Sequence, residues 1–197
     1  MKLIAVTGGI ATGKSTAAGL LARELDCPFC SCDALVHDLL RKSRVAEWIE
    51  RMFPNTVSPK GEVNRRLLAS RVFASVVDRR KLESFLHPLV LESIAHWAES
   101  YESGTLLGLV EVPLLYEVDF PLKRDVDVVV ACSERTQIER LTRREGIPER
   151  VGERIAAQMP IPDKIFRAEV VIWNDGSLGT LSRLVVLAAR RIHQKMQ

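Results

Sequence analysis

The segment Gly8-Gly9-Ile10-Ala11-Thr12-Gly13-Lys14-Ser15 sets the architecture of this chain, because it matches the phosphate-binding pattern G-x-x-x-x-G-K-[ST]. Glycines at both ends allow the backbone to turn tightly, so that successive N–H groups point into one concavity. The lysine supplies a cation for the β- and γ-phosphates of a nucleotide, and the Ser15 hydroxyl can bind Mg²⁺. The sequence therefore predicts a nucleotide-binding loop here.

Both sides of this loop carry the elements that it requires. The apolar run Leu3-Ile4-Ala5-Val6 precedes the loop and is typical of a buried strand. The segment Ser15–Leu25 follows it with apolar residues at helical spacing, and the start of this helix adds its positive dipole end. Strand, glycine loop and helix in this order favour a phosphate-binding loop over a glycine-rich turn with an incidental lysine.

Length, charge and hydropathy limit the class of protein. A chain of 197 residues favours one core domain with room for an inserted segment. No apolar run reaches the ~18 residues that span a bilayer, and the first apolar stretch ends at Val6, too early for a signal peptide. The net charge of +3 is too small to indicate nucleic-acid binding. We expect a cytoplasmic enzyme that binds neither membrane nor nucleic acid; the oligomeric state is left open.

Strands and helices alternate along the chain, which predicts an α/β fold with a parallel sheet flanked by helices. The expected strands are Lys2–Val6, Pro28–Cys32, Thr105–Val112, Val126–Cys132 and Glu169–Trp173. Ligands bind such sheets at the carboxyl ends of the strands. Gly13, Asp33, Pro113 and Asn174 follow strand ends and are expected to share that edge.

Helical patterns fill most of the remaining sequence. The expected helices are Lys14–Leu25, Asp33–Arg41, Val45–Phe53, Asn64–Ala74, Asp78–Glu102, Thr136–Arg144, Glu149–Gln158 and Leu178–Lys195. Pro88 should kink or restart the fifth of them. We interpret residues 1–197 as a single domain with a core of residues 1–42, 105–135 and 168–197. A helical substrate-side insertion occupies about residues 43–103, and a lid occupies about residues 136–167.

Arginines are concentrated in the region of the predicted lid, at positions 135, 140, 143, 144, 150, 154 and 167. They can bring guanidinium groups to a phosphate chain, or they can lie on solvated helix faces. Asp33 follows the second strand and is well placed as the carboxylate near an attacking hydroxyl, although it can also cap a helix. Glu111, near the end of the third strand, is a candidate carboxylate close to Mg²⁺, or simply a solvated strand end.

The cysteines raise a redox alternative. Cys27 and Cys30 have the C-x-x-C spacing of redox motifs, but the expected helix precedes the pair instead of following it. A zinc site would need a second pair, and only Cys32 and Cys132 remain. We therefore expect buried, free thiols.

Several segments together resemble the dephospho-CoA kinase family, whose loop usually reads T-G-G-I-G-S-G-K-S-T. Thr7–Thr16 is similar to that loop, and Asp33 matches the second aspartate of the family's D-A-D. Further similar segments follow in the family's order: Asn64–Leu68 with Val72-Phe73, Leu82-Glu83 with Leu86-His87-Pro88, Val112–Glu117, Arg154–Gln158 and Val171–Gly176. The resemblance covers about residues 1–180.

The resemblance implies a P-loop NTPase-type fold and transfer of the γ-phosphate of ATP, with Mg²⁺, to the ribose 3′-hydroxyl of dephospho-CoA. Asp33 would act as base or orient that hydroxyl, and Lys14 and Arg140 would also be catalytic. The residues implied to bind ATP are Gly9, Ile10, Ala11, Thr12, Gly13, Lys14, Ser15, Thr16, Arg144 and Asn174. The residues implied to bind the acceptor are Asp33, Arg65, His87 and Glu117.

The chain departs from the family pattern at several positions. Ser31 and Cys32 replace the first aspartate and the alanine of D-A-D, and His37 replaces an arginine, which would make acceptor binding weaker or pH-sensitive. Ala11 and Thr12 replace glycine and serine, and Ala11 is harmless only if its φ is negative. Another P-loop small-molecule or nucleoside kinase and a nucleotide-binding switch remain alternatives, although no N-K-x-D motif supports a GTPase.

Overall fold

A parallel five-stranded sheet lies at the centre of the first of two compact units. The computed structural model describes residues 1–101, 104, 106–145 and 151–196. The first unit comprises Met1–Ser31 and Tyr101–Gln197, and the second comprises Cys32–Ser100. The strands are β1 (Lys2–Gly8), β2 (Phe29–Ser31), β3 (Leu107–Glu111), β4 (Val126–Ala131) and β5 (Val170–Trp173), in the order β2-β3-β1-β4-β5. The predicted α/β fold with a parallel sheet is confirmed.

Helices connect the strands within the first unit and form most of the second. In chain order they are α1 (Lys14–Glu24), α2 (Cys32–Leu39), α3 (Ser43–Met52), α4 (Arg65–Ala74), α5 (Val76–Glu99), α6 (Glu134–Glu145), α7 (Val151–Ala156), α8 (Ile161–Arg167) and α9 (Leu178–Met196). The second unit contains α2 to α5, and therefore most of the predicted insertion, but it begins earlier, at Cys32. No helix in the described ranges is long and apolar enough to cross a membrane.

The core of the first unit explains why β1 and β4 are central strands. Every residue of β4 is buried, as expected for a strand covered on both faces. Ile4 and Val6 of β1 pack in one cluster with Leu21 of α1 and Ile192 of α9, and all four residues are fully buried. This burial fixes the end of β1, and with it the position of the loop that follows.

The second unit has its own core and its own helix caps. Leu40, Val45, Ile49, Phe53, Leu68 and Leu86 form its buried cluster. The Asn64 side chain accepts a hydrogen bond from the Leu67 N–H at 3.2 Å, and the Ser75 hydroxyl accepts one from the Asp78 N–H at 3.1 Å. These N-terminal caps satisfy backbone donors that have no partner inside the helix.

Three observations differ from the sequence predictions. Helix α5 runs through Pro88, so the restart that was one of the two predicted outcomes does not occur, because Leu86, Val90 and Ile94 lie on one buried face that extends across the proline. Cys32 begins α2 instead of ending β2. Helix α8 was not predicted, because prolines 160 and 162 suggest a loop, although proline is well tolerated in the first turn of a helix. The predicted features at Glu102, Thr105 and residues 146–150, including Arg150, lie outside the described residues.

Candidate active site

The phosphate loop connects β1 to α1, and its two fixed glycines are required by close contacts. A Cβ atom on Gly8 would collide with the Val130 carbonyl oxygen of β4. Gly13 has a φ of +86°, in the left-handed region, and a Cβ atom there would collide with the Asn174 amide. The loop therefore lies directly against the ends of β4 and β5.

Ala11 also adopts a left-handed backbone conformation, with a φ of +59°. The expectation that an alanine is harmless at this position holds only for a negative φ, so the substitution is not harmless. A non-glycine residue in this region is strained by about 1–2 kcal/mol because Cβ approaches the following carbonyl oxygen. The loop holds this strain in the middle of its phosphate-binding turn.

Lys14, Ser15 and Glu111 form a compact cluster at the start of α1 and the end of β3. The Ser15 hydroxyl donates to Glu111 Oε1 at 2.6 Å, and Lys14 Nζ lies 3.2 Å from the same oxygen. The Glu111 side chain is buried, with 4% exposure. The strand-end carboxylate predicted from the sequence is therefore next to the predicted Mg²⁺ ligand.

This cluster is chemically suited to Mg²⁺. The ion prefers oxygen ligands and usually takes only one or two from the protein, with substrate phosphates and water completing its shell. The Ser15 hydroxyl and the Glu111 carboxylate supply such oxygens. No group of three or more His, Cys, Asp or Glu side chains that could hold a metal occurs in the described part of the chain. Two protein oxygens are as many ligands as Mg²⁺ usually takes from a protein when a nucleotide also binds the ion.

Asn174, directly after β5, and two side chains of α6 hold the middle of the loop. Asn174 is 5% exposed, and its amide Nδ2 donates to the Thr12 carbonyl at 2.8 Å. Arg140 Nη1 donates weakly to the same carbonyl at 3.4 Å. Gln137, which the sequence did not single out, donates from Nε2 to the Ile10 carbonyl at 2.8 Å. The structure thus brings Asn174 and Arg140, both predicted site residues, to the backbone of the loop.

A buried ion pair lies beside the start of the loop. Lys164 of α8 is 0% exposed, and its Nζ lies 2.6 Å from Glu117 Oε1 and donates to the Gly8 carbonyl at 3.2 Å. Burial lowers the pKa of Lys164, an effect that its hydrogen bond to the Glu117 carboxylate opposes. Sequence reasoning found Glu117 as part of a family segment but missed Lys164, since a single lysine after two prolines gives no pattern.

Other predicted residues lie in the second unit, which has its own polar contacts. Asp33 is the second residue of α2. Arg65 Nη1 lies 2.7 Å from His37 Nδ1 and donates to it, because a guanidinium has only donors. His87 is on α5, and its half-buried position lowers its pKa. The guanidinium predicted to bind acceptor is therefore held by the residue that replaces the family's arginine.

The four cysteines are free thiols in the structure. Cys30, Cys32 and Cys132 are buried and Cys27 is partly buried. Burial raises the pKa of Cys27, Cys30 and Cys132 from 9.0 to about 11, with a further contribution from Asp26 for Cys27. Thiols with raised pKa values are poor nucleophiles, which disfavours the redox alternative.

The chain is similar to known proteins of one enzyme family. A family model described as dephospho-CoA kinase matches residues 2–180 of the chain. The dephospho-CoA kinase of Symbiobacterium thermophilum is 41% identical over 182 residues, which are 90% of this chain and 76% of that protein. The solved structure of TT1252 from Thermus thermophilus has a TM-score of 0.82 at 33% identity, covering 97% of both chains. The dephospho-CoA kinase from Campylobacter jejuni has a TM-score of 0.69 at 22% identity, covering 98% of this chain and 97% of that one, and shows the shared fold.

Proposed function

The chain belongs to the dephospho-CoA kinase family, and we infer that it is an ATP-dependent dephospho-CoA kinase. It transfers the γ-phosphate of ATP to the ribose 3′-hydroxyl of dephospho-CoA, which completes coenzyme A. The observation that carries the chemistry is the cluster in which Lys14 and Ser15 meet on one oxygen of Glu111, at the start of the helix that follows the glycine loop. Phosphoryl transfer depends mainly on such positioning and charge.

On the nucleotide side, we propose that the loop residues Gly9 to Thr16 surround the ATP phosphates with N–H groups. The Lys14 ammonium would leave Glu111 and bind the β- and γ-phosphates, where it neutralises charge that develops during transfer. Arg140 and Arg144 of α6 would supply further positive charge. Asn174 would act on ATP through the loop, because its amide holds the Thr12 carbonyl at 2.8 Å.

We propose that Mg²⁺ accompanies ATP and is held by Ser15, with Glu111 close to it. When bound, the ion would neutralise phosphate charge and help to align the γ-phosphate. The burial of Glu111 supports this role, because a carboxylate with 4% exposure needs positive partners and here has only Lys14 as an ion-pair partner among the described contacts.

On the acceptor side, we propose that Asp33 accepts the proton of the ribose hydroxyl or orients it. Arg65 and His87 would bind the charged part of dephospho-CoA. The half-buried His87 has a lowered pKa and so would act as a neutral hydrogen-bonding group near neutral pH. For Glu117, the ion pair with Lys164 favours a role next to the phosphate loop, and its contact with acceptor stays a prediction.

The activity is tested by mixing the purified chain with Mg²⁺-ATP and dephospho-CoA and following coenzyme A by mass spectrometry. Adenosine and shikimate serve as control acceptors, because kinases with related folds use small hydroxyl compounds. We expect product from dephospho-CoA alone. Phosphorylation of adenosine or shikimate instead would favour another small-molecule or nucleoside kinase.

A pair of variants ties this activity to the proposed site. Lys14→Ala should abolish most of the turnover, whereas Lys195→Ala, on an exposed part of α9, should not change it. Near-normal turnover of Lys14→Ala would contradict the proposed nucleotide site.

Because ATP is a cytoplasmic metabolite and the product is a cofactor used there, we also propose a cytoplasmic location.

A further inference from the structure

Lys164 is a fully buried cation that none of the sequence motifs includes. Its side chain is 0% exposed, and burying a charged ammonium is costly unless partners compensate. The lysine is placed by α8, which begins directly after Pro160. A buried ion pair is weak evidence for stability, because apolar side chains of similar size often stabilise a protein as well or better. Stability alone therefore does not explain why Lys164 is buried at this position.

The two partners of Lys164 belong to different parts of the site. Nζ lies 2.6 Å from Glu117 Oε1, which also accepts a hydrogen bond from the Met159 N–H at 3.2 Å. Nζ also donates to the carbonyl of Gly8 at 3.2 Å. Glu117 Oε2 is buried without a hydrogen-bond partner among the described residues. The carboxylate is thus incompletely satisfied, which a pair selected for stability alone would avoid.

The segment of residues 158–164, which we call the clamp segment, contacts three consecutive residues of the phosphate loop. Gln158 Oε1 accepts a hydrogen bond from the Ile10 N–H at 2.7 Å. Ile161 Cδ1 lies 2.7 Å from where a Cβ atom on Gly9 would be, so it packs closely against that glycine. Lys164 holds the Gly8 carbonyl. The clamp segment therefore follows the first half of the loop residue by residue.

We propose that Lys164 is a positioning residue for phosphoryl transfer, which fixes the first peptide of the phosphate loop through the Gly8 carbonyl. Because a trans peptide is planar, holding the Gly8 oxygen also fixes the direction of the Gly9 N–H. Glu117 keeps the Lys164 ammonium in place and joins it to the Met159 backbone. The loop is thereby oriented before ATP arrives, which avoids reorganisation during the reaction. This inference rests on the proposed ATP site.

The test separates positioning from folding by using the double variant Lys164→Met/Glu117→Gln. Lys164→Met alone would leave Glu117 buried without a cation and could fail to fold. In the double variant the glutamine oxygen still accepts from Met159, and only the contact with Gly8 and the charge are lost. The matched control is Lys195→Met/Glu24→Gln, which changes the same residue types at exposed positions of α9 and α1.

Calorimetric titration with a non-hydrolysable ATP analogue and Mg²⁺ gives the nucleotide affinity, thermal melting gives stability, and steady-state kinetics give KM for each substrate. We expect the double variant to fold and to lose about tenfold or more in affinity for the analogue and in kcat. A lowered melting temperature with unchanged nucleotide affinity and kcat would overturn the inference and leave a purely structural pair.

The same titration distinguishes the inference from the proposed function. A wild-type protein that binds the analogue but makes no coenzyme A would contradict the proposed acceptor, while the affinity comparison would still decide the role of Lys164. A wild-type protein that does not bind the analogue would overturn both.

Discussion

The Ser15 hydroxyl donates to Glu111 Oε1 at 2.6 Å, which links the first turn of α1 to the end of β3. The same carboxylate oxygen lies 3.2 Å from Lys14 Nζ. One buried acidic group therefore orients both the proposed Mg²⁺ ligand and the proposed phosphate-binding cation. When ATP binds, the ammonium can move to the phosphates while the carboxylate stays beside the hydroxyl.

Glu111→Gln should weaken Mg²⁺ binding more than it weakens ATP binding. The amide oxygen can still accept from Ser15, but the negative charge that attracts the ion is lost. We expect the Mg²⁺ concentration for half-maximal activity at saturating ATP to rise about tenfold, about 1.4 kcal/mol. Glu24→Gln, at an exposed position of α1, is the control. An unchanged Mg²⁺ requirement would show that Glu111 only positions Lys14 and Ser15.

Ala11→Gly should stabilise the protein. Ala11 has a φ of +59°, which strains a residue with a Cβ atom, whereas glycine adopts this conformation freely. The larger entropy of glycine in the unfolded chain offsets part of the gain, so we expect the free energy of unfolding to rise by about 0.5–1 kcal/mol. Urea unfolding measures this change. Ala95→Gly, at an exposed position inside α5, should have the opposite effect, and a loss of stability in both variants would contradict the strain.

The sheet and the loop could be predicted because their residues are constrained locally. The valine-rich run Val126–Ala131 is typical of a strand that is buried on both faces. The glycines at positions 8 and 13 are required because a Cβ atom would collide with Val130 or with Asn174. The order of such elements then leaves little choice of topology. These features therefore follow from residue type and spacing.

The buried ion pair and the strained alanine could not be predicted in the same way. The burial of Lys164 depends on α8, a segment whose prolines at 160 and 162 are typical of a loop. It also depends on Glu117, which is distant in the sequence. The φ of Ala11 is set by the closure of the whole loop, and the pattern accepts any residue at that position. Likewise, the contact of His37 with Arg65 joins two helices that only the tertiary structure brings together.

The thiols should be chemically inert and dispensable for activity. Burial raises the pKa of Cys27 and Cys30 to about 11, so the thiolate is rare near neutral pH. We expect slow reaction of the native protein with a thiol reagent such as iodoacetamide, and full kinase activity of the Cys27→Ser/Cys30→Ser variant. The unfolded protein in urea is the control for reagent access. Loss of activity with an intact fold would favour the redox alternative.

The raised pKa values of two buried thiols should lower the stability of the protein at alkaline pH. Cys30 and Cys132 have pKa values near 11 in the folded protein against 9.0 for an ordinary thiol. Because the unfolded chain ionises first, their contribution to stability is complete below pH 9 and is lost as the pH rises to about 11. We expect the free energy of unfolding, measured with urea, to fall between about pH 8 and about pH 10.5. The decrease should be smaller for Cys30→Ala/Cys132→Ala than for the wild type. Equal decreases would mean that other groups cause the loss.

Asp33→Asn should lower kcat strongly while leaving nucleotide affinity almost unchanged. The amide has nearly the same shape as the carboxylate but cannot accept the proton of the ribose hydroxyl, so the defect should occur in the chemical step. We expect kcat to fall by about 10²–10⁴-fold, the usual contribution of a positioned base. Asp38→Asn is a matched control, because Asp38 is also an exposed aspartate of α2. Steady-state kinetics for both substrates and titration with an ATP analogue separate the two steps. If the affinity for the analogue collapses while kcat is maintained, Asp33 acts on the nucleotide and the proposed acceptor-side role is wrong.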